Sequence, residues 1–344
     1  MIKGSLVEKA VNAIIRPPRR TYDPSELPLE IEGSNGQVFV RHPVAFANDR
    51  DQKIVGSIYL KSGKDITSGG PCMIYLHGNA SSQHEGKYLV PDFCSNDVAV
   101  FCFDFPGSGN SDGEYISLGY FETQDLTFLI NQLKTSFRMG PFALWGRSMG
   151  AATAVMCTHS DVCCKVVDSA NTSIPDVCKA IAINMKLPSI FCPAVLWFLK
   201  VHISGIANFD ISEVSALNIA KQPNQPPLLM CHAENDEFVP YEEGQQIFQA
   251  YTNPDKTFVK SQSGHNGKRG PAWINQACMF ILKHFGITSE KTFTQSSSRR
   301  MQESSSHFRS YDDLVKFAQE HPKEEIEKDS PIMLSEIENS PLLS

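Results

Sequence analysis

The sequence lacks an excess of positive charge, a long hydrophobic run and a metal-binding cysteine pattern, and each absence removes a class of function. The 344-residue chain has a formal net charge of −7, whereas nucleic-acid-binding domains usually present a clustered basic surface. We therefore expect no nucleic-acid partner. The longest apolar stretch, residues 187–201, is interrupted by Pro188 and Pro193, and it is shorter than the ~20 residues that a membrane-spanning helix needs.

The ten cysteines do not follow the pattern of a disulfide framework or of a zinc site. There is no C-x-x-C pair and no suitable Cys/His spacing, so we expect no metal and no other cofactor. Most of the cysteines lie in apolar runs that predict a buried core, and free buried thiols are typical of a reducing compartment. The N-terminus lacks an apolar segment with a small-residue cleavage site, which favours a cytoplasmic location.

By composition, the chain divides into a leader (1–36), a globular domain (37–286) and a tail (287–344). Apolar residues recur at helical spacing in the leader until the sequence Arg-Pro-Pro-Arg-Arg at 16–20 ends the predicted helix. This helix either packs on the domain or makes peripheral contact with an anionic membrane surface. The tail is rich in serine and acidic residues, and we predict that it is mostly disordered.

Within the globular domain, apolar runs alternate with helical patterns. Because near-continuous apolar strands joined by helices are typical of a parallel sheet covered on both faces, we predict an α/β fold. Its central sheet is mostly parallel, has about eight strands and is flanked by helices. Between residues 174 and 226 the alternation lapses, which predicts a helical lid. The predicted strands are 37–46, 54–60, 72–76, 98–103, 142–145, 165–167, 228–231 and 256–260, and a closing helix covers 271–284.

The most specific motif is Gly146-Arg147-Ser148-Met149-Gly150, which lies between a predicted strand and a predicted helix. This is the G-x-S-x-G pattern in the strand–turn–helix setting that it requires. Gly146 and Gly150 leave room for the strand and the helix to approach each other, while the turn lifts the Ser148 hydroxyl above the sheet edge. The N-terminus of the helix favours developing negative charge. The motif therefore predicts Ser148 as a nucleophile.

A serine hydroxyl needs a base that an acid orients, and in enzymes with this strand–turn–helix motif the chain order is serine, acid, histidine. His265 lies in a glycine-flanked loop after a predicted strand, whereas the later histidines lie in the closing helix or the tail. We therefore predict His265 as the base. Asp236, in the loop that follows strand 228–231, is the predicted acid, and Asp168 at the end of strand 165–167 is its competitor.

Two backbone N–H groups should bind the oxyanion of a tetrahedral intermediate. Met149 directly follows the nucleophile, and Asn79 lies in the His-Gly-Asn sequence that follows strand 72–76. We predict these two amides as the donors and His77 as a structural brace of the loop. The turn Gly107-Ser108-Gly109 lacks the other residues of a dinucleotide or phosphate loop, and we interpret it as part of the site rim.

Together these segments resemble the serine-aminopeptidase-like (hydrolase-4 type) α/β hydrolases of the prolyl-oligopeptidase clan, and especially an uncharacterised plant and protist group. The resemblance covers roughly residues 10–286 and is most specific over 144–151. It implies the triad and the two oxyanion donors just named. The sequence departs from the pattern at 168–171, where Asp-Ser-Ala-Asn replaces the Asp-Ser-Pro-Phe of many relatives. Other matching segments are 14–19, 75–79, 104–109, 232–236 and 265–266.

The sequence thus predicts a serine hydrolase that cleaves an ester, thioester or amide through a covalent acyl-enzyme on Ser148. Its substrate would be a small-molecule, lipid-like or peptide acyl compound. The apolar residues of the predicted lid suit a lipid-like group, or they form the core of the lid helices. The family resemblance implies a serine peptidase as one alternative. A non-catalytic interaction protein on the same fold is the other.

Overall fold

The computed structural model describes residues 11–12, 14–33, 36–178 and 192–288. Its strands are β1 (Glu30–Glu32), β2 (Val38–Ala47), β3 (Lys53–Lys61), β4 (Gly70–Leu76), β5 (Ala99–Phe103), β6 (Met139–Arg147), β7 (Val162–Asp168), β8 (Leu228–Ala233) and β9 (Lys256–Ser261). Its main helices are α1 (Val90–Cys94), α2 (Tyr120–Phe137), α3 (Met149–Met156), α4 (Cys192–Ala207), α5 (Ala216–Ala220), α6 (Tyr241–Ala250) and α7 (Pro271–His284).

The strands described form one sheet in the order β1-β2-β3-β5-β4-β6-β7-β8-β9. The pairs within β1-β2-β3-β5 are antiparallel, and those from β5 to β9 are parallel. The strand order reverses at β4, which lies between β5 and β6. In open α/β sheets, ligands bind outside the carboxyl ends of the strands at such a point. The predicted α/β-hydrolase fold class is confirmed, with nine strands described where about eight were predicted.

Both faces of the sheet are covered, as the continuous apolar strands predict. Along β4, Cys72, Ile74 and Leu76 pack with buried residues of α2 and α3. Met73 and Tyr75 point to the other face and pack with α1 and α7. This alternation has the period of two that a strand imposes. The site is consequently built on a sheet that is fixed from both sides.

Helix α2 illustrates how the sequence specifies a helix that packs on the sheet. Its buried residues Leu126, Leu129, Ile130 and Leu133 recur at the spacing of one helical face. The carboxylate of Glu122 accepts the backbone N–H groups of Ser117 (2.8 Å) and Gly119 (2.7 Å), which satisfies donors at the start of the helix. The amphipathic face and the capped end together define the element.

The described part of the leader lies against the domain. Val11, Ile14 and Ile15 are buried in the core, and the Ile116 amide donates to the Ile15 carbonyl at 2.8 Å. The sheet also begins inside the predicted leader, at β1. The interpretation as a packed helix therefore agrees with the residues described, while residues 1–10 and the predicted disordered tail beyond residue 288 lie outside them.

The predicted lid is only partly covered, because residues 179–191 lie outside the described ranges. The remainder contains α4, a 3-10 turn (Ile211–Glu213) and α5. Leu199 and Ile203 of α4 are buried in the core, whereas Trp197 is 65% and Val201 48% exposed. Part of the predicted apolar lining is thus core, and coverage of the site by a lid remains a prediction. No helix in the described ranges is long and apolar enough to cross a membrane.

Candidate active site

Ser148 occupies a sharp turn between β6 and α3. Its backbone has φ 54° and ψ −119°, in the left-handed region that is strained for a residue with a side chain. A Cβ atom on Gly146 would lie 2.2 Å from the Gly150 carbonyl oxygen, and one on Gly150 would lie 2.1 Å from the Leu76 carbonyl oxygen. Both positions therefore admit only glycine. The structure places these residues in the strand–turn–helix geometry expected from the motif.

Replacing Gly150 by alanine is expected to destabilise the domain by at least about 2 kcal/mol, because the added methyl group overlaps backbone that cannot move independently. Urea denaturation of the purified protein measures the change. Gly205→Ala is the matched control, because a Cβ atom on Gly205 of α4 meets nothing within 4 Å. That variant should keep or slightly raise the stability, since alanine favours the helix. Equal effects of the two substitutions would contradict the close approach at Gly150.

The structure brings Ser148, His265 and Asp236 together from distant parts of the chain. His265 Nε2 lies 2.9 Å from Ser148 Oγ, and His265 Nδ1 lies 2.7 Å from Asp236 Oδ2. Since an ionised carboxylate only accepts hydrogen bonds, we assign the ring proton to Nδ1. Nε2 is then free to accept the serine proton. This arrangement is the one by which an imidazole activates a hydroxyl.

The Asp236 carboxylate is fixed by the loop after β8. Its Oδ1 accepts the backbone N–H groups of Phe238 (3.0 Å) and Val239 (2.8 Å). Burial alone would raise the pKa of Asp236, but the hydrogen bond from His265 and the one from the Val239 amide hold the pKa below its usual value. The carboxylate is therefore ionised at neutral pH, and it can stabilise a positive charge on the imidazole.

The two predicted oxyanion donors belong to different elements. Met149 begins α3 directly after Ser148, and Asn79 lies in the loop that follows β4. The loop after β4 approaches the serine turn closely, because a Cβ atom on Gly150 would also lie 2.7 Å from the His77 carbonyl oxygen. Met149 is the first residue of α3, so its N–H group has no partner within the helix. Met149 thus adjoins the nucleophile and Asn79 lies on the loop that approaches the serine turn, while the role of the two amides as oxyanion donors remains a prediction.

His77 braces the loop that carries Asn79. Its Nε2 accepts the Phe105 backbone N–H at 3.0 Å, and its Nδ1–H donates to the Gly78 carbonyl at 2.8 Å. Both ring nitrogens are engaged with backbone, and the side chain is fully buried. The geometry agrees with the structural role expected for this histidine.

Comparisons with known proteins agree with this fold and this motif. The family model described as "Serine aminopeptidase, S33" matches residues 71–189, which contain the strands around the serine turn. Over these residues, the chain is similar to the serine-aminopeptidase-like branch of the α/β hydrolases. The chain is 28% identical over 212 residues to the lysophosphatidylserine lipase ABHD12 of Danio rerio, an alignment that covers 59% of this chain and 51% of the lipase. This chain therefore spans about half the length of that relative.

Two further matches extend the comparison. The uncharacterized protein R595 of Acanthamoeba polyphaga mimivirus is 24% identical over 227 residues, which are 61% of this chain and 74% of the viral protein. The structure of the Pyrococcus furiosus esterase Pf2001 superposes with a TM-score of 0.57 and 21% identity. That match covers 79% of this chain and 98% of the esterase. At this level of identity, the esterase supports only the fold of this chain.

Asp168, the competing acid, has its carboxylate bonded to an arginine and not to His265. Its Oδ1 accepts hydrogen bonds from Nε (3.0 Å) and Nη2 (2.9 Å) of Arg269. The imidazole of His265 instead contacts Asp236. Of the two acids that the sequence left open, the geometry therefore favours Asp236 as the partner of the histidine.

A second buried ion pair next to the site was missed at the level of sequence. Arg147, at the first x position of the G-x-S-x-G motif, pairs with Glu85. Its Nη1 donates to Asn266 Oδ1 at 3.0 Å. Glu85 also accepts the Gly78 amide at 3.1 Å. Burial would raise the pKa of Glu85, but the Arg147 guanidinium lowers it to about 2. The only sequence signal was the place of Arg147 directly before the nucleophile.

Proposed function

We propose that this α/β hydrolase is a serine hydrolase that cleaves an acyl ester, thioester or amide through a covalent acyl-enzyme on Ser148. The observation that carries the proposal is the continuous hydrogen-bonded chain from Ser148 Oγ through His265 to Asp236, with distances of 2.9 and 2.7 Å. These three hydrogen-bonded side chains lie at the carboxyl ends of the parallel strands, where α/β folds bind their ligands.

In the proposed acylation step, Ser148 Oγ attacks the substrate carbonyl carbon while His265 Nε2 accepts the hydroxyl proton. Asp236 stabilises the imidazolium that forms. The amides of Asn79 and Met149 donate to the oxyanion, and the positive end of α3 favours the same charge. His265 then gives its proton to the leaving group. In deacylation, His265 takes a proton from water, which attacks the acyl-enzyme. The bond between the acyl carbon and Ser148 Oγ breaks, His265 returns the proton to Oγ, and the acid is released.

Two observations make a lipid-like ester our first choice of substrate class. The ABHD12 relative is named as a lysophosphatidylserine lipase. In addition, α4 presents apolar residues that are not used in the core, including Trp197 and Val201. The description of the matching family model names an aminopeptidase, so an aminoacyl amide is the second candidate class of substrate.

We place the protein in a reducing, cytoplasmic compartment. Nine of the ten cysteines have side chains that the structure describes; these nine are free thiols, and eight of them are buried. Buried free thiols are typical of proteins that are not exposed to oxidising conditions. Because Val11, Ile14 and Ile15 pack in the core, a peripheral membrane contact of the leader would have to use other residues.

A substrate panel tests the proposed function. We expect the purified protein to hydrolyse p-nitrophenyl esters, with the rate depending on acyl length from acetyl to palmitoyl, and to hydrolyse aminoacyl anilides more slowly. The Ser148→Ala protein serves as the background. A preference for the anilides would favour the peptidase. Equal rates for wild type and variant on every substrate would contradict the enzyme and favour an interaction protein.

A further inference from the structure

The loop that carries His265 contains a turn, in which the Gly267 amide donates to the Gly264 carbonyl at 3.0 Å. It joins β9, which ends at Ser261, to α7, which begins at Pro271. Two glycines, Gly264 and Gly267, flank the histidine, and glycine makes a chain conformationally permissive. Yet the His265 ring must stay within hydrogen-bond reach of Ser148 on another loop. Side-chain contacts, including those of Arg269 near the end of the loop, must therefore fix its position.

Arg269 contacts this loop at four places. Its Nη1 donates to Ser263 Oγ (2.6 Å) and to the carbonyl oxygens of Gly264 (3.1 Å) and Gly267 (2.9 Å). Its Nη2 lies 3.4 Å from the His265 carbonyl oxygen. A planar guanidinium has five donors in a fixed geometry, so one side chain holds the backbone on both sides of the base.

Arg269 is in turn held by Asp168, whose carboxylate accepts hydrogen bonds from Nε and Nη2 of the arginine. Both residues are only 2% exposed. Asp168 ends β7 beside Arg147 of β6, and its backbone carbonyl accepts the Ser148 amide at 2.9 Å. The same residue therefore anchors the nucleophile through its backbone and the base loop through its side chain.

We propose that Asp168 and Arg269 are positioning residues, which set the distance between Ser148 Oγ and His265 Nε2. This inference rests on the proposed hydrolase function and deepens it. The two ring nitrogens of His265 are engaged with Ser148 and Asp236, so Arg269 and Asp168 act through the loop and not by exchanging protons with the ring. A displacement of about 1 Å in such a geometry lowers the rate by about 100-fold.

Arg269→Lys tests the proposal with little change in charge. A lysine ammonium keeps an ion pair with Asp168, but it cannot span the carboxylate and the loop carbonyls at the same time. We expect kcat for the best ester to fall by about 10- to 100-fold, with KM changed by less than about 3-fold. Arg269→Ala should lose more activity and recover part of it when guanidinium ions are added at a non-denaturing concentration.

The matched control is Arg50→Lys, which alters another ion pair with a buried carboxylate. Arg50 pairs with Asp125 at 2.6 Å, and neither residue contacts the base loop in any interaction described above. Its kcat should stay within about 2-fold of wild type. If Arg269→Lys also keeps kcat within about 2-fold of wild type, the positioning role is wrong and the hydrolase function is unaffected.

A readout without substrate separates this inference from the proposed function. In proton NMR, the His265 Nδ1–H bonded to Asp236 should give a downfield resonance in the wild type, which Arg269→Lys broadens or removes while Arg50→Lys keeps it. If the wild type hydrolyses nothing but shows this pattern, the proposed function falls and the positioning stands. An unchanged resonance in Arg269→Lys contradicts the positioning directly.

Discussion

Ser148→Ala is expected to lower kcat for the best ester substrate by about 10⁶-fold, because alanine removes the atom that attacks the carbonyl. His265 then has no hydroxyl to activate, and only substrate binding and oxyanion contacts remain. KM should change little, since the serine hydroxyl contributes mainly to the transition state. Initial rates across substrate concentrations with purified wild type and variant measure both constants.

Ser212→Ala controls for the loss of a serine hydroxyl elsewhere. Ser212 lies in the exposed turn after α4 and bonds to Asp210, and none of the hydrogen bonds described above joins it to the site. It should keep the full rate. A Ser148→Ala protein that retains more than about one thousandth of the wild-type kcat, after purification from any contaminating esterase, would contradict the role of Ser148.

Asp236→Asn is expected to lower kcat by about 10⁴-fold while the fold is retained. The asparagine amide can donate to His265 Nδ1, which forces the ring proton onto Nε2. That nitrogen then faces Ser148 with a proton and cannot accept another. Steady-state kinetics give the loss, and the urea midpoint shows whether the domain still folds.

Asp168→Asn provides the comparison, since the sequence left both acids open. Its carboxylate bonds to Arg269, and its replacement should displace the base loop without reversing the histidine tautomer. We expect a loss of about 10- to 100-fold in kcat, which is well below that of Asp236→Asn. The opposite order of the two losses would identify Asp168 as the acid of the triad.

The parts of the fold that the sequence predicts well are those with a strong local pattern. Helix α7 covers the residues predicted for it, Pro271–His284, because a proline at the first position and a periodic apolar face mark it. The strand β1 was missed because Glu30–Glu32 is short and mostly charged. β6 is longer than predicted, since Gly140 and Pro141 interrupt its apolar run without ending the strand.

The same contrast holds at the site. Ser148, Asp236 and His265 are predictable, because a specific motif and a fixed chain order select them. The two buried pairs, Arg147 with Glu85 and Arg269 with Asp168, are 62 and 101 residues apart. Charged residues without periodicity are usually exposed, so nothing local indicates that these are buried and paired. Only the three-dimensional arrangement shows that they hold the loops around the nucleophile.

The measurement that tests the account most directly is the reaction of the purified protein with a fluorophosphonate, followed by peptide mass spectrometry. The reagent forms a covalent phosphonyl ester with a serine whose proton has been taken by a base. We predict one adduct per chain, on the peptide that contains Ser148, and its loss in Asp236→Asn over the same reaction time. An adduct on a different residue, or undiminished esterase activity without any adduct on Ser148, would contradict the account.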